Sequence, residues 1–520
     1  MNPRITRRSF LKAAGAASAV AVSGVLPRTL GVPVFARQSK TLAIGINATL
    51  ESLDVHTAIG PNIIGSRIFG LFSDSLVQTG KDGELQPMLA TEWSGDKLEW
   101  RFKLREGVTF HDGSTMTADD VVYSFSRILD PNNPQPSGFA QDFRRYVANV
   151  EATGDLEVTI TTPTRDPLLP FRLDSYWASI VPRGATEAAD PVDLQFNPIG
   201  AGPFKVVEFR TDDRIVLERH NEYWGGTPTV DQVVVRFIPE TATRIAALQA
   251  GDVDLITQVP VDQIAVVNNT PGIHSINSYV RNYMTINFNT VKGPTADLNV
   301  RRALALAIDR ELIVDALWEG QTRAMNDYLL PGIFGYDPDR PVFPYDPDGA
   351  RAALEASAYT GEPINFQATA GYYANDDPVM TAVTQMWRDV GLTVNQELLE
   401  GSAFLDQYFA GEVMTNLQSR GASGGDASLL FKDWAQGTLW VPAYYVPPEE
   451  FNELLARTSQ SFDQEQRYAD FRRMAEIFDE DLPFTPLYQN VDIFGIRDGI
   501  DWEPNPSFLI DFRPYNLKIE

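Results

Sequence analysis

The chain has four histidines, His56, His111, His220 and His274, and their spacing gives them little to do together. No two stand four apart, the separation that sets both rings on one helix face for zinc, and none belongs to a His-Glu-x-x-His run. A composite site assembled by the fold stays open on spacing alone, but no metal and no cofactor is expected. There are no cysteines, so thiolate ligands, a thiol nucleophile, disulfides and a thiol-linked lipid are all ruled out. The nearest approach to a Gly-x-Ser-x-Gly nucleophile elbow is Gly421-Ala422-Ser423-Gly424-Gly425, which matches the bare spacing without a strand pattern before it or a clear helix after it. Gly200-Ala201-Gly202-Pro203 is not a dinucleotide loop, and no Gly-x-x-x-x-Gly-Lys phosphate loop occurs. With 69 acidic residues, a carboxylate pair for glycoside hydrolysis is open on numbers alone. A secreted hydrolase acting on peptides or oligosaccharides is therefore the alternative reading. Asp119-Asp120 suits a helix start better than catalysis.

Two features suit binding. Arg420 beside the Gly-rich turn offers a planar fork to a carboxylate or phosphate, or else a surface ion pair. Trp434, Trp440, Tyr444 and Tyr445 offer faces for stacking a sugar or apolar side chain, or else core packing.

The elements that must position these groups alternate between strand and helix, the mark of α/β layers. Leu98–Leu104, Leu156–Thr162, Arg214–Glu218 and Val233–Ile238 read as strands, the last apolar enough for burial on both faces. Thr117 caps a helix carrying Val121, Val122, Phe125, Ile128 and Leu129 on one face. Asn299 is the expected cap of a helix ending near Gly320, and Ser461 with Gln464 of one that places Phe471, Met474, Ala475 and Phe478 on a core stripe before Pro483. Pro131–Gly138 and Pro331–Pro347 read as surface loops.

At 520 residues, two or three domains are expected, and 43% hydrophobic content fits a globular chain. The net charge of −26 repels nucleic acid and anionic membrane, so neither is an expected partner. Thr6-Arg7-Arg8-Ser9-Phe10-Leu11-Lys12, an Ala/Gly/Val stretch from Ala13 to Leu26, and Val34-Phe35-Ala36 follow the order of an export signal. The paired arginines resemble the twin-arginine type. Residues 1–36 hold five basic groups, Arg4, Arg7, Arg8, Lys12 and Arg28, and no acid, so a processed chain would be more acidic still.

Longer runs carry a family resemblance. Ala90-Thr91-Glu92-Trp93, Leu98 to Gly113 ending in Phe-His-Asp-Gly, and Thr117 to Ser124 form one block. Gly200-Ala201-Gly202-Pro203-Phe204 with Asn221-Glu222-Tyr223-Trp224-Gly225-Gly226 begins a second, reaching Ala250-Gly251-Asp252-Val253-Asp254. Asn287-Phe288-Asn289 with Val300-Arg301-Arg302-Ala303-Leu304 and Ala307-Ile308-Asp309-Arg310 makes a third. In this order they resemble the peptide/nickel-type extracellular solute-binding family of ABC transporters. On physical grounds, His111 and Gly113 read as a structural turn.

The resemblance implies an α/β, two-lobed periplasmic-binding-protein type II fold with an extra small subdomain in the first lobe. The expected boundaries are a signal over 1–36, lobe I over 37–284 with a subdomain at about 85–195 and completion by 488–520, and lobe II over 285–487. It also implies a monomer that is not an enzyme. Such a protein works outside the cytoplasm, takes a small molecule or peptide between its lobes and hands it to a membrane permease. Peptide-binding relatives carry Asp-x-x-Asp-Pro in lobe II, the first Asp holding a peptide amine. Here Asp426 fits the second acid, Ser423 stands at the first and Ala427 replaces the proline, which weakens recognition of an ammonium group. Tyr283, Thr285, Arg420, Ser423, Asp426 and Tyr488 are the expected ligand-binding residues.

Overall fold

The computed structural model describes residues 40–56, 67–130, 143–421, 424–435, 438 and 443–519. The export signal at 1–36, most of the Pro131–Gly138 loop, Ser423 and Trp440 lie outside the described residues.

In chain order, β1 is Thr41–Ile46, and β2 (Val77–Thr79) and β3 (Leu85–Pro87) form a hairpin. A small antiparallel sheet follows, made of β4 (Ala90–Asp96), β5 (Glu99–Leu104), β6 (Asn149–Gly154) and β7 (Glu157–Thr161). The main sheet adds β8 (Phe204–Arg210), β9 (Arg214–Arg219), β10 (Gln232–Phe237), β11 (Leu255–Ile256), β12 (Ile273–Phe288), β13 (Ile364–Thr369), β14 (Val394–Leu399), β15 (Thr415–Gly421) and β16 (Phe484–Arg497). Its order is β14-β13-β15-β12-β16-β11-β1-β10-β9-β8.

Alternation explains the small sheet. Trp100, Phe102 and Leu104 of β5 point into a core shared with Phe110, Phe125 and Ile160, while Glu99, Arg101 and Lys103 face out. The helix Ala118–Leu129 closes this core, and its Asp120 carboxylate accepts from the Thr117 N–H at 2.8 Å. At the expected turn, Gly113 takes φ +85° and Asp112 accepts from the Ser114 N–H at 3.0 Å.

Several local expectations need correction. β10 alternates between buried and half-buried positions, because one face is only partly covered. The helix after Asn289 is capped by Asp297, not Asn299, and runs Leu298–Leu306; a second helix, Arg310–Leu317, follows with its own cap at Asp309. Asp carboxylates at these two positions accept from backbone N–H groups and start separate helices where a single one was read. Asp463, not Ser461, caps the helix Gln464–Asp481, but Phe471, Met474, Ala475 and Phe478 do form its core stripe.

β12 and β16 are the two long crossings. Ile273–Tyr279 pairs with Val491–Arg497 beside β11 and β1, and Tyr283–Asn287 pairs with Phe484–Gln489 beside β15. The register breaks between Tyr279 and Tyr283. One core, with Leu42, Ile44, Phe204 and Val235, lies on the β1 side of this break; another, with Tyr328, Phe431, Phe478 and Phe484, lies on the β15 side. We call these sides lobe I and lobe II.

Candidate functional site

Strand direction locates the site. β1, β10 and β11 run parallel to one another and antiparallel to β16, whereas β13, β14 and β15 run parallel to one another and antiparallel to β12. β12 and β16 are themselves antiparallel, so the two parallel sets point toward each other across the middle of the ribbon. In parallel α/β sheets, ligands sit beyond the carboxyl ends of the strands. Here those ends are Asn47 and Gln258 in lobe I and Arg420 and Gly421 in lobe II, with Tyr279–Asn282 and Gln489–Asp492 between them.

The middle of the ribbon is polar. The Arg281 guanidinium donates to the Gly80 carbonyl and lies near Asp174 and Asp82. Burial, which disfavours the charged form, depresses the Arg281 pKa and raises that of half-buried Asp174, while each group's charge works against the other's shift. Arg67 donates to Asp492 with both side chains almost fully buried, and burial holds the Asp492 carboxyl above the usual range despite that pairing. The Asn490 side-chain amide donates to Asn282 Oδ1. Gln489 is fixed by its Nε2 bond to the Val280 carbonyl at 2.9 Å, and its Oε1 accepts from Arg323 Nε and Nη2 at 2.8 and 2.6 Å.

The lobes touch along a seam of glycines. A Cβ on Gly83 would stand 1.8 Å from the Gly332 carbonyl oxygen, and one on Gly425 would stand 2.1 Å from the Gly83 carbonyl oxygen. Phe171 lies 3.1 Å from the Cβ position of both Gly424 and Gly425. Further along, Trp100 and Phe462 meet at 6.1 Å and the Arg165 guanidinium lies 5.3 Å from the Phe462 ring.

The six residues expected to bind ligand fall in varied places. Tyr283 is fully buried and donates to the Tyr328 carbonyl at 2.8 Å; Thr285 is fully buried and donates to the Thr485 carbonyl at 3.0 Å. Both side chains are occupied inside lobe II, because β12 sits between β15 and β16 and is covered on both faces. Asp426 accepts two bonds from Arg467 at 2.7 and 2.6 Å and another from the Ser428 N–H, so it holds a loop to a helix. Arg420 is buried over Trp434 at 4.2 Å with Nη2 3.3 Å from Asn287 Oδ1. The void beside it, bounded by Tyr408, Trp434 and Tyr444, measures ≈ 10 Å³, room for about one water and no solute. Tyr488 is buried against Trp318 at 5.2 Å. Ser423 lies outside the described residues.

Of the aromatic cluster, Trp434 stacks on Phe484 at 4.5 Å, and Tyr444 and Tyr445 are buried, which is core packing. β15 does lead into the Gly421–Gly425 run, contrary to the expectation of no strand there, but no histidine bonds to that run among the described residues. His111 is wedged between the Gly200 N–H, which donates to Nδ1 at 3.2 Å, and the Gly202 carbonyl, 3.1 Å from Nε2. That is the structural role expected of it. A groove of ≈ 480 Å³ between Asp337–Pro344 and Tyr468–Asp479 is built from lobe II alone. Arg323, Tyr279 and Gln489 were missed by sequence reasoning, since no motif marks them; Asp82-Gly83 and Pro331-Gly332 announce turns but not their meeting.

Comparison with known proteins adds a lineage. Residues 84–447 match the family model described as bacterial extracellular solute-binding proteins, family 5 middle. The chain is 29% identical over 436 residues to heme-binding protein A of Haemophilus influenzae, covering 78% of this chain and 79% of that one. It is 25% identical over 543 residues to the periplasmic oligopeptide-binding protein OppA of Salmonella typhimurium, covering 99% of each. Its fold superposes on HbpA2 from Haemophilus parasuis with a TM-score of 0.80 at 24% identity, covering 92% of this chain and 100% of that one.

Proposed function

We propose, for a chain that belongs to the bacterial extracellular solute-binding proteins of family 5, that it captures a small solute outside the cytoplasm for an ABC importer. The solute lies between the lobes, against the ribbon of β12 and β16, and is passed unchanged to a membrane permease. The observation that carries this reading is the opposition of the two sets of parallel strand ends across the two-stranded ribbon of β12 and β16. A solute touching both lobes binds the closed arrangement better and so favours it, and a permease can read that arrangement. No helix among the described residues is long and apolar enough to cross a membrane. Residues 1–36 deliver the chain by the twin-arginine route, and it acts as a monomer.

For the solute, the relatives' names span oligopeptide and heme. We favour a peptide-like solute, with Ser423 in the place of the amine-holding acid tempering the demand for a charged amino terminus. The binding role is favoured over the hydrolase, since the relatives are named for binding.

A thermal-shift screen of ligand-stripped protein against di-, tri- and oligopeptides and oligosaccharides tests the reading. A solute at about 100 times its dissociation constant should add about 2.7 kcal/mol of stability. No shift with any class would remove the proposal.

A further inference from the structure

Arg323 stands apart from the other arginines at the ribbon. Arg67 faces Asp492, Arg281 lies near Asp174 and Asp82, and Arg420 is sealed inside lobe II. Arg323 is exposed, and no described carboxylate pairs with it. It is nevertheless held still. Its segment lies along β16, with the Gln489 N–H donating to the Arg323 carbonyl at 3.1 Å and the Met325 N–H to Leu487 at 3.0 Å. Its guanidinium carbon sits 4.5 Å from the Tyr279 ring centroid, so a lobe II side chain rests on the lobe I half of β12. Nε and Nη2 both donate to Gln489 Oε1, whose amide is turned that way by its bond to the Val280 carbonyl.

One edge of the fork is thus spent on orientation by a neutral amide, and no described group accepts from Nη1. A guanidinium fixed by a neutral acceptor and an aromatic face is positioned without being paired to a carboxylate. Its free end presents parallel N–H groups in the geometry that matches a carboxylate.

We propose that Arg323 is the anion anchor of the cleft, binding a carboxylate of the solute through its Nη1 end while Gln489 and Tyr279 hold it in position. This rests on the solute-binding reading above and narrows it to acids. Because the guanidinium belongs to lobe II and its aromatic support to lobe I, the anchor is complete only when the lobes are in this arrangement.

The test uses full-length mature protein, a panel of di- and tripeptides prepared as free acids and as C-terminal amides, and the variants R323Q and R323K. Free acids should bind wild type about 10- to 100-fold tighter than their amides, R323Q should lose that preference, and R323K should keep part of it. The residue is exposed, so solute-free R323Q should melt within about 2 °C of wild type. Binding of acids and amides alike, or an acid preference that survives in R323Q, overturns the anchor and leaves the solute-binding reading standing. Failure of every panel member and of the oligosaccharides to bind wild type overturns both.

Discussion

The Gly83 carbonyl oxygen of lobe I stands 2.1 Å from the point that a Cβ of Gly425 in lobe II would occupy, so the lobes meet backbone to backbone there. Such a contact admits no side chain on either partner. Gly332 completes it from the other side, where a Cβ on Gly83 would fall 1.8 Å from its carbonyl oxygen.

Gly425→Ala separates this contact from backbone strain, since Gly83 takes φ +89° and Gly425 is not among the residues at positive φ. The added methyl should hold the lobes apart. Solute affinity should fall at least tenfold, about 1.4 kcal/mol, and the radius of gyration with solute should stay at the solute-free value. Small-angle scattering with titration checks this; wild-type affinity and compaction in the variant would show that the seam does not govern closure.

Asp426 is predicted to matter for stability rather than for recognition. Its partner Arg467 is buried; Nη2 donates to both oxygens of this one carboxylate, while Nε donates to the Thr458 carbonyl at 2.8 Å. Asp426→Ala leaves a buried guanidinium uncompensated and should cost about 3–5 kcal/mol, read as a lower denaturation midpoint. A variant that unfolds like wild type but no longer binds peptide would return Asp426 to the ligand site.

Acid should loosen lobe I through its buried histidines. His111 Nδ1 accepts from the Gly200 N–H, so protonating it sets N–H against N–H, and burial pushes its pKa down to about 3. His56 is pushed down to about 4, first by burial and then by Arg127, which donates to its Nδ1. Below the ordinary histidine value of 6.5 the unfolded chain binds protons that the folded chain does not. Stability therefore falls as pH drops from 6.5 toward these values, by up to about 1.4 kcal/mol per pH unit for each ring. Asp492 and Asp174, held above the usual carboxylate range by burial, act in the opposite sense at the acid end. His111→Asn isolates one contribution: its stability at pH 7.5 should be lower, and its loss between pH 6.5 and 5 shallower than in wild type. Equal slopes would show that His111 is not the proton acceptor.

Much of the scaffold was legible. The alternation of β5, the Thr117–Asp120 helix start and the Phe-His-Asp-Gly turn are local, and each residue reports its own surroundings. The lobe boundaries expected at 284/285 and 487/488 came with the family resemblance, and β12 and β16 run through those positions. The site was far less legible. Tyr283, Thr285 and Tyr488 lie on the crossing strands, but their side chains turn into lobe II, a matter of register that a break between Tyr279 and Tyr283 resets. Arg420 was noticed for its charge and Gly-rich neighbours, yet Trp434, 14 positions on, folds back over it. Arg323 carried no signal at all: its place depends on Gln489, which is 166 residues away in sequence.

The most direct measurement is the fate of a bound solute. Purified protein is mixed with a library of di-, tri- and oligopeptides, separated from free peptide by gel filtration, denatured, and the released molecules are weighed by mass spectrometry. A capture protein should release intact peptide in near-equal amount to protein, with no new mass after prolonged incubation. Release of fragments that form only in the presence of the protein, or no retained peptide at any concentration tried, would contradict the account.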